Sequence, residues 1–213
     1  MSEQRSGLVF IISAPSGTGK TTLLRGVMER VSDLEFSVSY TTRPPRANER
    51  EGVDYCFVSP ALFQEMVERG EFLEWAEVLG NRYGTARSSV ENVRQKGIDV
   101  LLDIDTQGAK AVHQKIERTV LIYLLPPSLK ALEERLVNRG LDPPEMIRQR
   151  MAGAKREMGE AHWYHYIIVN DDIEETIEKL KAIIIAERCR QLKNTVLEEK
   201  KREWEECHGK NHC

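Results

Sequence analysis

Apolar residues fall along this chain in two rhythms. Short runs in which nearly every position is apolar mark strands buried on both faces. They occur at residues 8–12, 100–105, 119–125 and 166–170, the second ending in the carboxylates Asp103 and Asp105. Elsewhere apolar residues recur every three or four positions, the period of a helix with one buried face. Leu23, Leu24, Val27, Met28 and Val31 make one such face; Leu129, Leu132 and Leu136 make another; Ile173, Ile177, Leu180 and Ile184 a third. Buried strands alternating with amphipathic helices predict an α/β fold with a doubly wound parallel sheet.

Two stretches break that alternation. Residues 37–43 alternate like an exposed strand and stop at Pro44-Pro45, and residues 54–58 read as another strand. Ser59 is placed to cap a helix with Pro60 at its first position and Gly70 past its end. Residues 74–79 are strand-like, Gly80-Asn81 signals a hairpin turn, and Tyr83-Gly84-Thr85 lies on the return strand. Ser88 and Glu91 have capping-box spacing for a helix running to about Lys96. Residues 38–87 therefore read as a compact, strand-rich insertion. Ser128 caps the helix of Leu129, Pro143-Pro144 interrupts the chain, and a new helix carries Arg148, Arg150, Lys155 and Arg156. Beyond about Gln191 the helical pattern becomes charged; a solvated helical extension is the reading, with self-association into a homo-oligomer as its alternative.

Chemistry enters directly after the first apolar run, at Ser13-Ala14-Pro15-Ser16-Gly17-Thr18-Gly19-Lys20-Thr21-Thr22. A strand, a glycine-bearing loop and Gly-Lys-Thr opening a helix is the context of a phosphate-binding loop. Glycines let backbone N–H groups turn inward around an anion. The helix N-terminus adds unpaired donors and partial positive charge. Lys20 can reach β- and γ-phosphates, and the Thr21 hydroxyl can bind Mg²⁺. Ala14 stands where this pattern has glycine, which is tolerated only if its backbone avoids glycine-only conformations.

Composition narrows the partners. The chain has 213 residues, 40% of them hydrophobic, enough for one α/β core with small lobes. A formal net charge of −3 supplies no global basic field, so neither nucleic acid nor a membrane surface is an expected partner. Phosphate binding must come from local arginine and lysine. No apolar run is long enough to span a bilayer, no leader-like segment precedes Leu8, and the four cysteines lack paired spacing. A cytoplasmic location with reduced thiols is the expectation.

The motifs S-A-P-S-G-T-G-K-T (13–21), T-T-R-P-P-R (41–46), G-V-D-Y-C-F-V (52–58), E-F-L-E-W-A (71–76), N-R-Y-G-T (81–85), L-D-I-D-T-Q-G (102–108) and I-V-N-D-D (168–172) occur in an order and spacing that resembles the guanylate kinase family. The resemblance runs from Gly7 to about Arg190. It implies a P-loop nucleoside monophosphate kinase with a core (1–37, 88–126, 158–213), a GMP-binding lobe (38–87) and a helical lid (127–157). It implies transfer of the γ-phosphoryl of ATP to GMP with Mg²⁺. Residues 14–22 and Asn170 would meet ATP, and Arg43 and Arg46 with the hydroxyls of Tyr55 and Tyr83 would hold the GMP phosphate. Glu74 would read guanine N1–H and N2–H₂, with Ser39 and Thr85 donating to O6 and Asp105 nearby. Asp103 would orient Mg²⁺ through water, and Arg135, Arg139 and Arg150 would close over ATP. No residue excludes dGMP as an alternative acceptor. Guanylate-kinase-like domains also exist as interaction modules that have lost catalysis, along with the phosphate loop and lid arginines. Here Gly19, Lys20, Thr21, Arg135, Arg139 and Arg150 are all present, which favours the enzyme. A P-loop kinase for another small acceptor is disfavoured by Glu74, Ser39 and Thr85, whose groups match guanine edges.

Overall fold

The structure, a computed structural model, describes residues 6–47, 49–78, 80–138, 140 and 143–209. In chain order its elements are β1 (Val9–Ser13), α1 (Lys20–Arg30), β2 (Leu34–Phe36), β3 (Tyr40–Thr41), β4 (Cys56–Phe57), α2 (Pro60–Glu68), β5 (Phe72–Val78), β6 (Asn81–Ala86), α3 (Arg87–Arg94), β7 (Asp99–Asp103), α4 (Thr106–Lys115), β8 (Thr119–Leu125), α5 (Leu129–Asn138), α6 (Pro144–Gly159), β9 (Tyr166–Val169) and α7 (Ile173–Gly209).

Five strands form a parallel sheet in the order β2-β7-β1-β8-β9. Strand β1 shows why both faces must be covered. Phe10 and Ile12 pack with Leu23, Leu24 and Val27 of α1 and with Ile177, Leu180 and Ile184 of α7. Val9 and Ile11 point the other way, into Val90 of α3 and Ala109 and Val112 of α4. A continuous apolar run with helices on both sides is the doubly wound arrangement the pattern predicts. It also sets the site. The chain leaves β1 toward β2 on one side and later returns to β8 on the other. A crevice therefore opens beyond the carboxyl ends of the central strands.

A second sheet, β4-β3-β6-β5, with α2 packed on it through Phe63 and Met66, is built from the inserted residues. The strands β3 and β4 are only two residues each, against the seven and five that alternation suggests. The hairpin turn falls one residue earlier than read, since Val78 pairs with Asn81; the expected strand end at Leu79 lies outside the described residues. Strand β2 has no counterpart in the sequence reading: it is an edge of three residues, of which only Leu34 is buried.

Helix caps follow the sequence at two places and depart at one. Ser59 Oγ accepts from Leu62 N at 3.1 Å, with Pro60 opening α2. Ser128 Oγ accepts from Ala131 N at 3.0 Å. The capping box at Ser88 and Glu91 does not form: α3 starts at Arg87 with Ala86 as its N-cap. The β6 ladder runs up to Ala86, so the chain passes from strand to helix with no residue free for Ser88 to cap. The charged tail is one helix with the segment before it, α7 extending over 37 residues.

Candidate active site

The loop after β1 is held from beneath and from both ends. Thr18 is buried and turns back on Pro15, whose carbonyl accepts from its N–H at 3.2 Å and its hydroxyl at 2.6 Å. The Thr18 carbonyl in turn accepts from Asn170 Nδ2 at 2.6 Å and Arg135 Nη1 at 3.2 Å. Asn170 is 2% exposed and its Oδ1 has no partner. Arg150 of α6 donates to Ser16 Oγ. Two of the three predicted lid arginines therefore touch the loop itself; Arg139 lies outside the described residues.

The glycines in the loop do different work. Gly17 and Gly19 have φ of 94° and 92°, a region that L side chains rarely adopt. Ala14 is buried and is not among the described residues with positive φ, so its methyl costs nothing. A Cβ at Gly17 would lie 2.8 Å from Leu136 Cδ2 of α5, whereas one at Gly19 would meet only Asn170 Nδ2 at 3.5 Å. Gly17→Ala should therefore add overpacking to backbone strain, lowering stability by about 2–4 kcal/mol and the thermal midpoint by about 5–15 °C. Gly19→Ala carries the strain alone and should lose less. Calorimetry on both variants checks the order; equal losses would remove Leu136 from the account.

Lys20, at the start of α1, pairs with Asp103 at the end of β7, Nζ to Oδ1 2.6 Å. This contact is made because β1 and β7 are neighbours in register, Ile12 beside Asp103. Thr21 and Asp103 line one cleft of about 410 Å³ together with Arg25, Ser39, Arg46, Glu49 and Tyr55. Thr22 is exposed on the first turn of α1.

Behind Glu49 and Tyr55, which line the cleft, Arg43 donates from Nη2 to both oxygens of Glu49, at 2.8 and 2.9 Å. Its guanidinium lies 5.5 Å from the Tyr55 ring centre, and the Tyr83 hydroxyl also helps to keep it charged. Tyr55 and Tyr83 are edge to face with centroids 5.9 Å apart. Burial first, then the Asp103 charge, pushes the Tyr55 hydroxyl up to about 12, so it remains a protonated donor at neutral pH. Glu49 is the partner that sequence reasoning missed. Nothing in the local pattern marks it, and only the folded loop brings it onto Arg43.

Glu74 sits apart from this cleft, in a separate hollow of about 480 Å³ lined also by Trp75, Gln107, Gly108 and Lys115. Thr85, opposite it on β6, donates its hydroxyl to Glu74 Oε1 at 2.6 Å. In this structure that proton holds the carboxyl rather than pointing to a third group. Gly108 allows α4 to approach, since a Cβ there would lie 2.8 Å from Glu74 Oε2. Asp105 caps α4, accepting from Gly108 N at 2.7 Å. Burial, reinforced by the Asp105 charge and opposed by the Thr85 hydrogen bond, pushes the Glu74 carboxyl up to about 7. The structure thus joins the loop, Asp103 and the arginine pair, and separately joins Glu74, Thr85 and Asp105.

The family model for guanylate kinase matches residues 6–187. The chain belongs to the guanylate kinase family. It is 48% identical over 187 residues to the guanylate kinase of Syntrophotalea carbinolica, covering 88% of this chain and 89% of that one. The guanylate kinase of Geobacter metallireducens is 49% identical, with 88% and 92% covered. The crystal structure of guanylate kinase from Anaplasma phagocytophilum superposes with a TM-score of 0.71 at 37% identity, over 86% of this chain and 87% of that one. Among the described residues no helix is long and apolar enough to cross a membrane.

Proposed function

We propose that the chain transfers the γ-phosphoryl group of ATP to GMP, giving ADP and GDP. One observation carries this reading: Thr21 and Asp103, the carboxylate that holds Lys20, share a single cleft with Arg46, Glu49 and Tyr55. Such a cleft suits two phosphates that must meet. Lys20 and the loop N–H groups hold the β- and γ-phosphates. Arg43 and Arg46, with the Tyr55 and Tyr83 hydroxyls, hold the acceptor phosphate, whose oxygen attacks the γ-phosphorus in line. No covalent intermediate is needed; the protein supplies alignment and positive charge. Residues 38–87 act as the acceptor lobe and 127–157 as the lid, and closure of both on the core excludes water. Arg135, Arg139 and Arg150 bring charge over ATP on closure. Asn170 meets the adenosine side while its amide holds the Thr18 carbonyl.

The Thr21 hydroxyl and Asp103 carboxylate are hard oxygen donors on one cleft wall, a set that fits Mg²⁺ arriving with ATP. Mg²⁺ bound there supplies charge neutralisation at the phosphate oxygens. Asp103 would orient it through water. We place the reaction in the cytoplasm.

Glu74 accepts the guanine N1–H and N2–H₂ with Asp105 alongside, Thr85 fixes the carboxylate, and Ser39 donates to O6. Because the Glu74 carboxyl lies up to about 7, against 4.5 for its ordinary value, only its ionised form accepts those donors. The sign follows. In the free protein this group favours the protonated state; its contribution to stability is full below 4.5 and is lost as pH rises through about 7. GMP binding runs the other way, so kcat/KM for GMP should fall below pH 7, approaching about tenfold per pH unit. The KM for ATP should not follow. A flat GMP profile from pH 5.5 to 8 would detach Glu74 from the base.

The test of the whole reading is ATP-dependent ADP release with a panel of GMP, dGMP, AMP and UMP. GMP should be the preferred acceptor. A folded chain that releases no ADP with GMP would be an interaction module instead.

A further inference from the structure

We propose that Glu49 is a positioning residue for the acceptor phosphate. It holds the Arg43 guanidinium preset beside the cleft that Glu49 and Arg46 line, and leaves Arg46 as the mobile half of the clamp. This rests on the reading of the cleft as the GMP site.

The two arginines differ in how they are held. Arg43 donates to both Glu49 oxygens and, from Nη1, to the Pro44 carbonyl at 2.8 Å. Its guanidinium is flanked by the Tyr55 and Phe57 rings at 5.5 and 5.9 Å. The side chains of the Arg43–Glu49 pair are 13% and 16% exposed, so it is largely withdrawn from water. Glu49 also ties the turn that carries the second arginine. Its carboxylate accepts the Arg46 N–H at 2.9 Å, and its own N–H donates to the Arg46 carbonyl at 3.0 Å. The Arg46 side chain, by contrast, is 61% exposed, with Nη1 3.9 Å from the carboxylate.

An arginine side chain loses much rotamer freedom when it is fixed. Glu49 makes that loss part of folding rather than of binding, which is preorganisation. A guanidinium carries more N–H groups than these bonds and the Tyr83 contact use, so Arg43 keeps donor capacity for a phosphate oxygen. Arg46, exposed and only loosely engaged, can swing to the incoming phosphate. The Arg43 hydrogen bond holds the Glu49 carboxyl below its usual range, so the strut stays charged at neutral pH.

The opposite arrangement makes the opposite prediction. If Glu49 merely competed with the phosphate for Arg43, removing its charge would tighten GMP binding. The experiment compares Glu49→Gln, Glu49→Asp, Arg43→Lys and the Glu49→Gln/Arg43→Lys double variant in steady-state kinetics, with GMP binding by calorimetry. Glu49→Gln should raise the KM and Kd for GMP about tenfold, the size expected for one lost charged hydrogen bond. The kcat and the KM for ATP should stay within about twofold. Glu49→Asp, which keeps the charge, should recover part of the loss. The double variant should lose no more than Arg43→Lys alone, because with no guanidinium to hold the one task left is to accept the Arg46 N–H, which the Gln carbonyl can also do. An unchanged or lower KM for GMP, strictly additive losses, or equal losses for both substrates with a lower thermal midpoint would each overturn the role. Absence of GMP binding by the unaltered chain would overturn the reading of the cleft, and this role with it.

Discussion

Lys20→Ala should abolish most turnover, lowering kcat by about 10²–10³-fold, the range seen when one preorganised transition-state donor is removed. Its ammonium is the one flexible point charge on the loop, at the first position of α1. In the structure it rests on Asp103 at 2.6 Å, with the two side chains 19% and 26% exposed. That exposure decides what else the variant does. Asp103 lines the cleft, so water can reach its carboxylate once the lysine is gone, and the fold should stay intact. GMP binding, which we assign to the other side of the cleft, should be kept. Phosphoryl transfer is different, because charge spreads over the γ-phosphoryl oxygens just as the lysine reaches them. Arg135 and Arg150 do not replace it, since they bring their charge from the lid side, at the Thr18 carbonyl and Ser16 Oγ, and not from the Lys20 position at the start of α1. Rapid-mix single-turnover rates with GMP binding measured alongside separate the two effects. Near-normal turnover would remove the loop from the reaction.

The loop was readable in the sequence because everything that makes it is local. Five apolar residues, two glycines in left-handed conformations and a helix start are contiguous, and each carries its own signature. The core strands were readable for the same reason, since burial on both faces leaves an unbroken apolar run. What escaped was made by contacts across the chain. Strand β2 is an edge with Glu35 exposed and Phe36 half-buried, so it carries neither an apolar run nor a clean alternation. The alternation from Ser37 to Arg43 was real, but only Tyr40 and Thr41 find ladder partners, at Gly84 and Tyr83 on one side and Cys56 and Phe57 on the other. Ser88 had the spacing of a cap and lost the role to a strand that runs straight into its helix. In the site, residue types marked Lys20, Arg43 and Glu74 as candidates. Their partners did not announce themselves: Asp103 reaches Lys20 through strand order, Glu49 reaches Arg43 through a loop closure, and Thr85 reaches Glu74 through a hairpin register. Thr85 shows the cost of reading one residue at a time, because its hydroxyl is engaged with the carboxylate beside it.

Glu74→Gln should lower kcat/KM for GMP by about 10²–10³-fold, since two charge-assisted hydrogen bonds to guanine are each worth about 1.5–3 kcal/mol. It should also narrow the preference for GMP over AMP. Guanine presents N1–H and N2–H₂ donors to this position, whereas adenine presents an unprotonated N1, lone pair against lone pair. The Gln amide offers an N–H to that nitrogen and takes away the full acceptor strength that guanine needs. Burial sharpens the difference: Glu74 is 9% exposed, so an unpaired group there finds little water to replace a lost partner. Thr85→Ser is the control. It keeps a hydroxyl to donate to Glu74 Oε1, and so should change GMP turnover far less than Glu74→Gln. Thr85→Val, which removes that donor, should fall between them, and it should raise the Glu74 carboxyl further by deleting the bond that now pulls it down. The falling limb of the pH profile would then move upward in Thr85→Val and vanish in Glu74→Gln. Measuring kcat/KM for GMP and AMP across pH in the three variants gives both readouts at once. A GMP-over-AMP ratio left unchanged by Glu74→Gln would place base recognition elsewhere, and an acid limb that survives in that variant would assign the titration to another group.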